Sequence, residues 1–171
     1  SEMVNEVCEC EERTQKIIQL VNAIHDDRKI LILSDRRNHC QELAQKLGGS
    51  LYLGGMKEAD LAESANNRII VATFSMAAEG LDIPTLDTLV LASPKSDVKQ
   101  AVGRIMRGGS GGGGTNAPEI WDIVDAWSIL MPMSKKRQAI YRQGGFDIRG
   151  IEKSAPTRKQ QSTLPLGKCL M

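Results

Sequence analysis

Aromatic side chains are scarce in this chain: two Trp, two Tyr and two Phe make up 4% of its 171 residues. Any core must therefore be aliphatic. Apolar residues reach 41%, enough for one globular domain with a real core, or one domain plus a tail. An excess of one charge is also lacking. Lys and Arg number 22 against 21 Asp and Glu, a formal net charge of +1. No overall field gathers polyanions, so nucleic-acid binding must come from a local patch. No apolar run approaches the roughly 20 residues that cross a bilayer, and no signal peptide is expected. The four cysteines, Cys8, Cys10, Cys40 and Cys169, show no disulfide framework. That fits a reducing, intracellular setting. Finally, G-x-x-x-x-G-K-[ST] is absent, so nothing here cradles β- and γ-phosphates. No acidic pair follows a strand in the manner of a magnesium site with its catalytic base.

Hydrophobic patterning gives alternating helices and strands. Val7 to Asp27 reads as one amphipathic helix with Ile17, Val21 and Ile24 on a stripe. "KILILS" (29–34) is a continuous apolar run typical of a parallel strand covered on both faces. A helix over 36–47 follows, stopped by Gly48 and Gly49. "SLYLGG" (50–55), "RIIVATF" (68–74), "LDTLVLAS" (86–93) and "EIWDIVDA" (119–126) read as further strands, with a short helix over 58–66. A helix starts near Ser96, and a basic helix runs from about Ser134 to Gln143. "FDIRGIE" (146–152) could be a last strand. This order predicts an α/β fold, helices on both faces of a mainly parallel sheet, with ligands at the strands' carboxyl ends. Residues 1–14 read as a linker or extension, 15–152 as the domain, and 153–171 as a basic, flexible tail. "GGSGGGG" (108–114) reads as a flexible linker standing where a longer segment was replaced, the alternative being a natural glycine hinge. Its match to G-x-G-x-x-G is discarded, because no strand precedes it and no helix opens after it.

"QAVGRIMR" (100–107) carries the most chemistry. On a helix, Gln100, Arg104 and Arg107 share one side, while Val98, Val102 and Ile105 face the other. The polar side holds two guanidinium forks and an amide, with no acid. Arginine's planar fork suits phosphate oxygens, and Gly103 would allow close approach. The bland alternative is a solvated basic face.

The sequence Q-x-x-G-R-x-x-R resembles the sixth motif of superfamily 2 helicases. "ATFSMAAEGLDIPTLDTLVLAS" (72–93) is similar to their fifth motif, and "ILILSDRRNHCQELAQKL" (30–47) to the fourth with its helix. Order and spacing resemble the second RecA-like domain of such motors, over about residues 15–150. "PKSDVKQAVGRIMR" is most similar to the branch holding phage UvsW-type and poxvirus transcript-release helicases and relatives in other large DNA viruses.

The resemblance implies a RecA-like three-layer sandwich and half of an ATP-dependent motor. Arg104 and Arg107 match the arginine fingers that reach ATP held by a first RecA-like domain, and Gln100 matches the sensor of its terminal phosphate. Gly80 and Asp82 match residues of the interdomain cleft. Thr73 matches the threonine that bonds a strand phosphate. Ser34, Arg36 and Arg37 lie where the family contacts the nucleic-acid backbone. ATP and Mg2+ would be held mainly by the first domain, and this chain alone would not hydrolyse ATP. The expected partners are that domain and a nucleic-acid track, DNA rather than RNA, with no membrane. If the source is viral, the setting is host cytoplasm or virion. The rival readings are a non-catalytic RecA-like docking module and an unrelated phosphate-binding α/β domain.

Three features have plainer alternatives. Asp82 could form an Asx turn before Pro84, and Thr73 could simply finish a strand. Lys135, Lys136, Arg137 and Arg142 with Tyr141 could add a backbone-binding patch, or present a solvated face with Ile140 and Tyr141 packed inward. Cys8, Cys10, His39 and Cys40 could in principle complete a zinc site, but nothing in the sequence brings the pairs together. No metal site is expected.

Overall fold

The computed structural model describes residues 2–79, 81–109, 116–127 and 130–150. Five strands form one parallel sheet: β1 (Ile30–Ser34), β2 (Ser50–Tyr52), β3 (Ile69–Thr73), β4 (Thr88–Leu91) and β5 (Glu119–Asp122), in the order β2-β3-β1-β4-β5. Each of the four strand pairs is parallel, with Leu31 opposite Ile70 and Leu89, and Leu89 opposite Ile120. The helices are α1 (Glu2–Glu9), α2 (Glu11–Ala23), α3 (Arg37–Leu47), α4 (Glu58–Ser64), α5 (Phe74–Glu79), α6 (Lys99–Gly109) and α7 (Met131–Gln143).

The strands' two-residue alternation divides the core. Leu31, Leu33, Ile70, Ala72, Leu89 and Leu91 point to one face. There they meet Phe74 and Ala77 of α5, Ala101, Val102 and Ile105 of α6, and Tyr141 of α7. Ile30, Ile32, Val71 and Val90 point to the other, against Ile17 and Val21 of α2 and Cys40 and Leu43 of α3. Burying each such aliphatic side chain contributes about 1.5–3 kcal/mol. The result is the expected three-layer RecA-like sandwich, with an aliphatic core. Gly48 ends α3 with φ 62°, the left-handed cap that glycine adopts without steric cost.

Several elements differ from the sequence reading. The helix expected over Val7 to Asp27 is two helices, because Cys10 is extended (φ −73°, ψ 105°). Residues 2–9, expected to be a linker or extension, form α1, whose Val4, Val7 and Cys8 are buried. The break lets α2 turn inward, where the fully buried Arg13 makes a bidentate ion pair with Asp125 (2.8 and 3.1 Å) and donates to the Ala92 carbonyl. Asp125 was expected within a strand, but β5 ends at Asp122. Residues 74–79 form α5, which periodicity did not suggest. Residues 146–150 form no strand. Residues 151–171, and with them the end of the expected last strand and the tail, lie outside the described residues, as do 110–114 of the glycine-rich stretch and Thr115 after it.

Candidate functional site

Because all five strands run the same way, their carboxyl ends share one edge of the sheet. An open groove of about 490 Å³ lies there. It is lined by residues following β1 (Asp35), β2 (Gly54), β3 (Phe74, Ser75) and β4 (Lys95), and by the start of α6. Arg37, Thr73 and Gln100 all border it. Arg37 is exposed and donates from Nη1 to the Gly54 carbonyl at 2.9 Å. Thr73 ends β3 with its hydroxyl 3.0 Å from that of Ser75. Arg36 lies beside the groove. It pairs with Asp35 at 3.0 Å and donates to Asn5 of α1.

Helix α6 is built as the sequence suggests. Asp97 accepts a hydrogen bond from the Lys99 N–H at 3.1 Å, which starts the helix at Lys99 rather than Ser96. Val98, Ala101, Val102 and Ile105 are buried. On the opposite side Gln100 and Arg107 are exposed and Arg104 is half-buried. Among the described residues Arg104 reaches only the Ala77 and Ala78 carbonyls near the end of α5, at 3.4 and 3.5 Å. Those distances lie beyond ordinary hydrogen-bond length, and the carbonyls belong to the partly negative end of the helix. Arg107 has no bonding partner among the described residues. Among the described residues neither guanidinium has a carboxylate within ion-pair distance, although Arg13, Arg28, Arg36, Arg68, Arg137 and Arg149 all do. A Cβ at Gly103 would meet nothing within 4 Å, so no close approach among the described residues explains that glycine.

Other expected residues lie elsewhere. The Ser34 side chain is fully buried. Its hydroxyl is 2.9 Å from His39 Nδ1, 3.9 Å from Cys8 Sγ, and accepts from the Arg36 N–H at 3.3 Å. Position at a strand's end did not expose it, because α1 and α3 close over that end. Asp82 is exposed on the coil after α5 and does not border the groove. Gly80 lies outside the described residues. Cys8 and His39 meet through Ser34, and among the described residues no three His, Cys, Asp or Glu converge as metal ligands would. Burial pushes His39 down to about 4, with the Arg13 charge adding to the effect. Burial likewise pushes the Cys40 thiol up to about 12.

Of the two readings open for α7, a backbone-binding patch or a solvated face with Ile140 and Tyr141 packed inward, Tyr141 takes the inward place and Arg137 joins neither surface. Arg137 is only 3% exposed; its Nε pairs with Asp122 at 2.8 Å and its Nη1 donates to the Lys95 carbonyl at 2.8 Å. The buried Tyr141 hydroxyl donates to the same Asp122 oxygen at 2.8 Å. Burial, then the Asp122 charge, push that phenol well above its usual range. Lys135, Lys136 and Arg142 remain exposed. No described helix is long and apolar enough to cross a membrane.

The sequence reading passed over Asp35, Ser75, Lys95 and Asp97, all in the groove wall. The signal for Lys95 was its place just after β4, where the sheet's connectivity directs ligands.

Comparison with known proteins agrees with this architecture. Residues 12–111 match the family described as helicase conserved C-terminal domain. A putative ATP-dependent RNA helicase, L396, of Acanthamoeba polyphaga mimivirus is 32% identical over 158 residues, covering 86% of this chain and 30% of that protein. Transcript termination protein A18 of Yaba monkey tumor virus (strain VR587) is 31% identical over 93 residues, 46% of this chain and 20% of that protein. The chain thus spans less than a third of either relative. Among solved structures, the C-terminal domain of the DEAD-box protein Dbp5 superposes with a TM-score of 0.59 at 18% identity, covering 81% of each chain. The C-terminal part of the Fun30 ATPase domain superposes with a TM-score of 0.56 at 13% identity, covering 81% of this chain and 46% of that one. At such identities these two likenesses speak for the fold alone. With the fourth, fifth and sixth motifs in order on a parallel RecA-like sheet, the chain belongs to the helicase conserved C-terminal domain family, as the second RecA-like domain of a superfamily 2 helicase.

Proposed function

We propose that this chain is the second motor domain of an ATP-dependent nucleic-acid helicase or translocase. In this reading a first RecA-like domain holds ATP and Mg2+. Closure of the two domains brings Arg104, Arg107 and Gln100 against the terminal phosphate, where negative charge builds as the bond to the leaving group loosens. Arginines delivered there accelerate hydrolysis by about 10³–10⁵ in well-studied nucleotide hydrolases. Arg37 and Thr73 meet the strand backbone in the groove. One cation and one hydroxyl at phosphates suit sequence-independent tracking. Arg36 lies beside them, and the exposed Asp82 faces the interdomain cleft.

The observation that carries this reading is the charge of α6's outer stripe. Among the described residues its two guanidinium groups have no carboxylate partner, whereas six other arginines do. Two forks that meet no carboxylate among the described residues, on a helix anchored by its apolar face, make a preformed anion site that waits for its anion. The names of the relatives, an RNA helicase and a transcript termination protein, support a nucleic-acid motor of this kind.

The test is ATP hydrolysis by this chain joined to its first domain, with and without single strands. The joined protein should hydrolyse ATP and be stimulated by nucleic acid, while this chain alone should not turn over. Equal hydrolysis by the first domain alone would contradict the proposal.

A further inference from the structure

One charged pair in the groove belongs neither to the arginine stripe of α6 nor to Arg37 and Thr73. Lys95 Nζ lies 2.9 Å from Asp35 Oδ1 and 5.4 Å from the centre of the Phe74 ring. Asp35 Oδ2 also receives Arg36 Nη1 at 3.0 Å. Both residues are fixed from behind. The Asp35 N–H donates to the buried Ser93 hydroxyl at 2.8 Å, and the Lys95 carbonyl accepts from the buried Arg137 at 2.8 Å. The tips nevertheless reach solvent: the side chains are 30% and 39% exposed. The hydroxyls of Thr73 and Ser75 stand in the same wall.

A groove meant only for phosphates gains nothing from a carboxylate. The sugar-phosphate chain of DNA offers acceptors and negative charge, so Asp35 finds no donor there and repels the nearest phosphate. RNA differs by one donor per nucleotide, the 2′-hydroxyl. A carboxylate has about four lone-pair sites. Lys95 and Arg36 occupy one each, which leaves room for a hydroxyl. A cation and a carboxylate held side by side therefore match a phosphate and an adjacent ribose hydroxyl.

We infer that the Asp35–Lys95 pair makes this groove select RNA: Lys95 meets a phosphate and Asp35 accepts from a neighbouring 2′-hydroxyl. The inference rests on the nucleic-acid reading above and reverses the preference for DNA expected from the sequence.

The experiment titrates the 171-residue chain, at low salt, with fluorescent single strands of one sequence made as RNA, DNA and 2′-O-methyl RNA. RNA should bind about tenfold more tightly than the other two, the effect of one hydrogen bond with a charged acceptor. The methylated strand separates the donor from the sugar's shape. Asp35→Ala should bring the RNA-to-DNA ratio close to one, because RNA loses its acceptor while DNA loses only a repulsion and binds as well or more tightly. Lys95→Ala should weaken all three strands alike and lower the salt slope by about one. If Asp35→Ala fails to fold, Asp35→Asn serves: it keeps an acceptor but loses the charge, and the ratio should fall at least about twofold. Equal affinities in the unmodified chain, or equal losses for RNA and DNA in the Asp35 variants, would overturn the inference and leave the nucleic-acid reading standing. Binding of no strand at any salt would overturn both.

Discussion

Replacing Asp122 with alanine removes the only carboxylate that Arg137 meets among the described residues. Arg137 is 3% exposed and cannot swing to solvent without unpacking α7 from the sheet. Asp122 Oδ2 serves both Arg137 and the Tyr141 hydroxyl, at 2.8 Å each, so one substitution breaks two bonds. Removing one member of a buried ion pair costs about 3–5 kcal/mol, mostly because the other charge stays buried without compensation. For a chain of this size each kcal/mol shifts Tm by about 2–4 °C. Asp122→Ala should therefore lower Tm by about 6–20 °C. Thermal unfolding followed by circular dichroism reads this directly. The double variant Asp122→Leu, Arg137→Met should recover most of the loss, because a packed apolar pair replaces a desolvated ionic one. Tyr141→Phe, which loses one bond to a charged acceptor, should cost less, about 1.5–3 kcal/mol. A loss below about 1 kcal/mol in Asp122→Ala, the range of surface pairs, would mean that the pair is hydrated. Arg137 would then be free for the nucleic-acid patch that the sequence suggested.

Two further outcomes concern stability. Gly103 lies within α6 with open space where a Cβ would stand, so Gly103→Ala should stabilise the isolated chain by about 0.5–1 kcal/mol, measured by urea unfolding; loss of ATP hydrolysis in the joined protein would then locate the close approach of the first domain. His39 stays neutral in the fold down to about pH 4, while in the unfolded chain it takes a proton near its ordinary value of 6.5. Between those values the unfolded state binds more protons, so stability is complete above about pH 6.5 and falls as pH drops towards 4. The loss approaches about 3 kcal/mol. His39→Gln should flatten that part of the curve relative to the unmodified chain, and equal slopes in urea midpoints between pH 7 and 4.5 would contradict the burial argument.

What the sequence made legible were features set by local pattern. "KILILS" is apolar at every central position, and β1 is buried on both faces. The stripe of α6 follows from helical spacing alone, since Val98, Val102 and Ile105 take the core and leave Gln100, Arg104 and Arg107 outward. The misreadings have a common origin in tertiary contacts. Nothing in "CECEE" breaks a helix, yet Cys10 is extended and Arg13 reaches inward to Asp125, a partner 112 residues away. Arg137 looked like part of a solvated basic run because its counter-charge, Asp122, lies on a different element. Ser34 sits where strand-end ligands belong, but α1 and His39 enclose it. The Asp35–Lys95 pair joins loops 60 residues apart, so neither residue draws notice alone.

The central claim is that α6 offers the guanidinium groups of Arg104 and Arg107 to a triphosphate held by another domain. It is tested most directly by single-turnover ATP hydrolysis in the joined two-domain protein carrying Arg107→Ala, with Arg142→Ala as an exposed-arginine control. The account predicts a fall of about 10³-fold or more for Arg107→Ala, unchanged strand binding, and near-parental turnover for Arg142→Ala. Parental hydrolysis in Arg107→Ala, or equal losses in both variants, would contradict it.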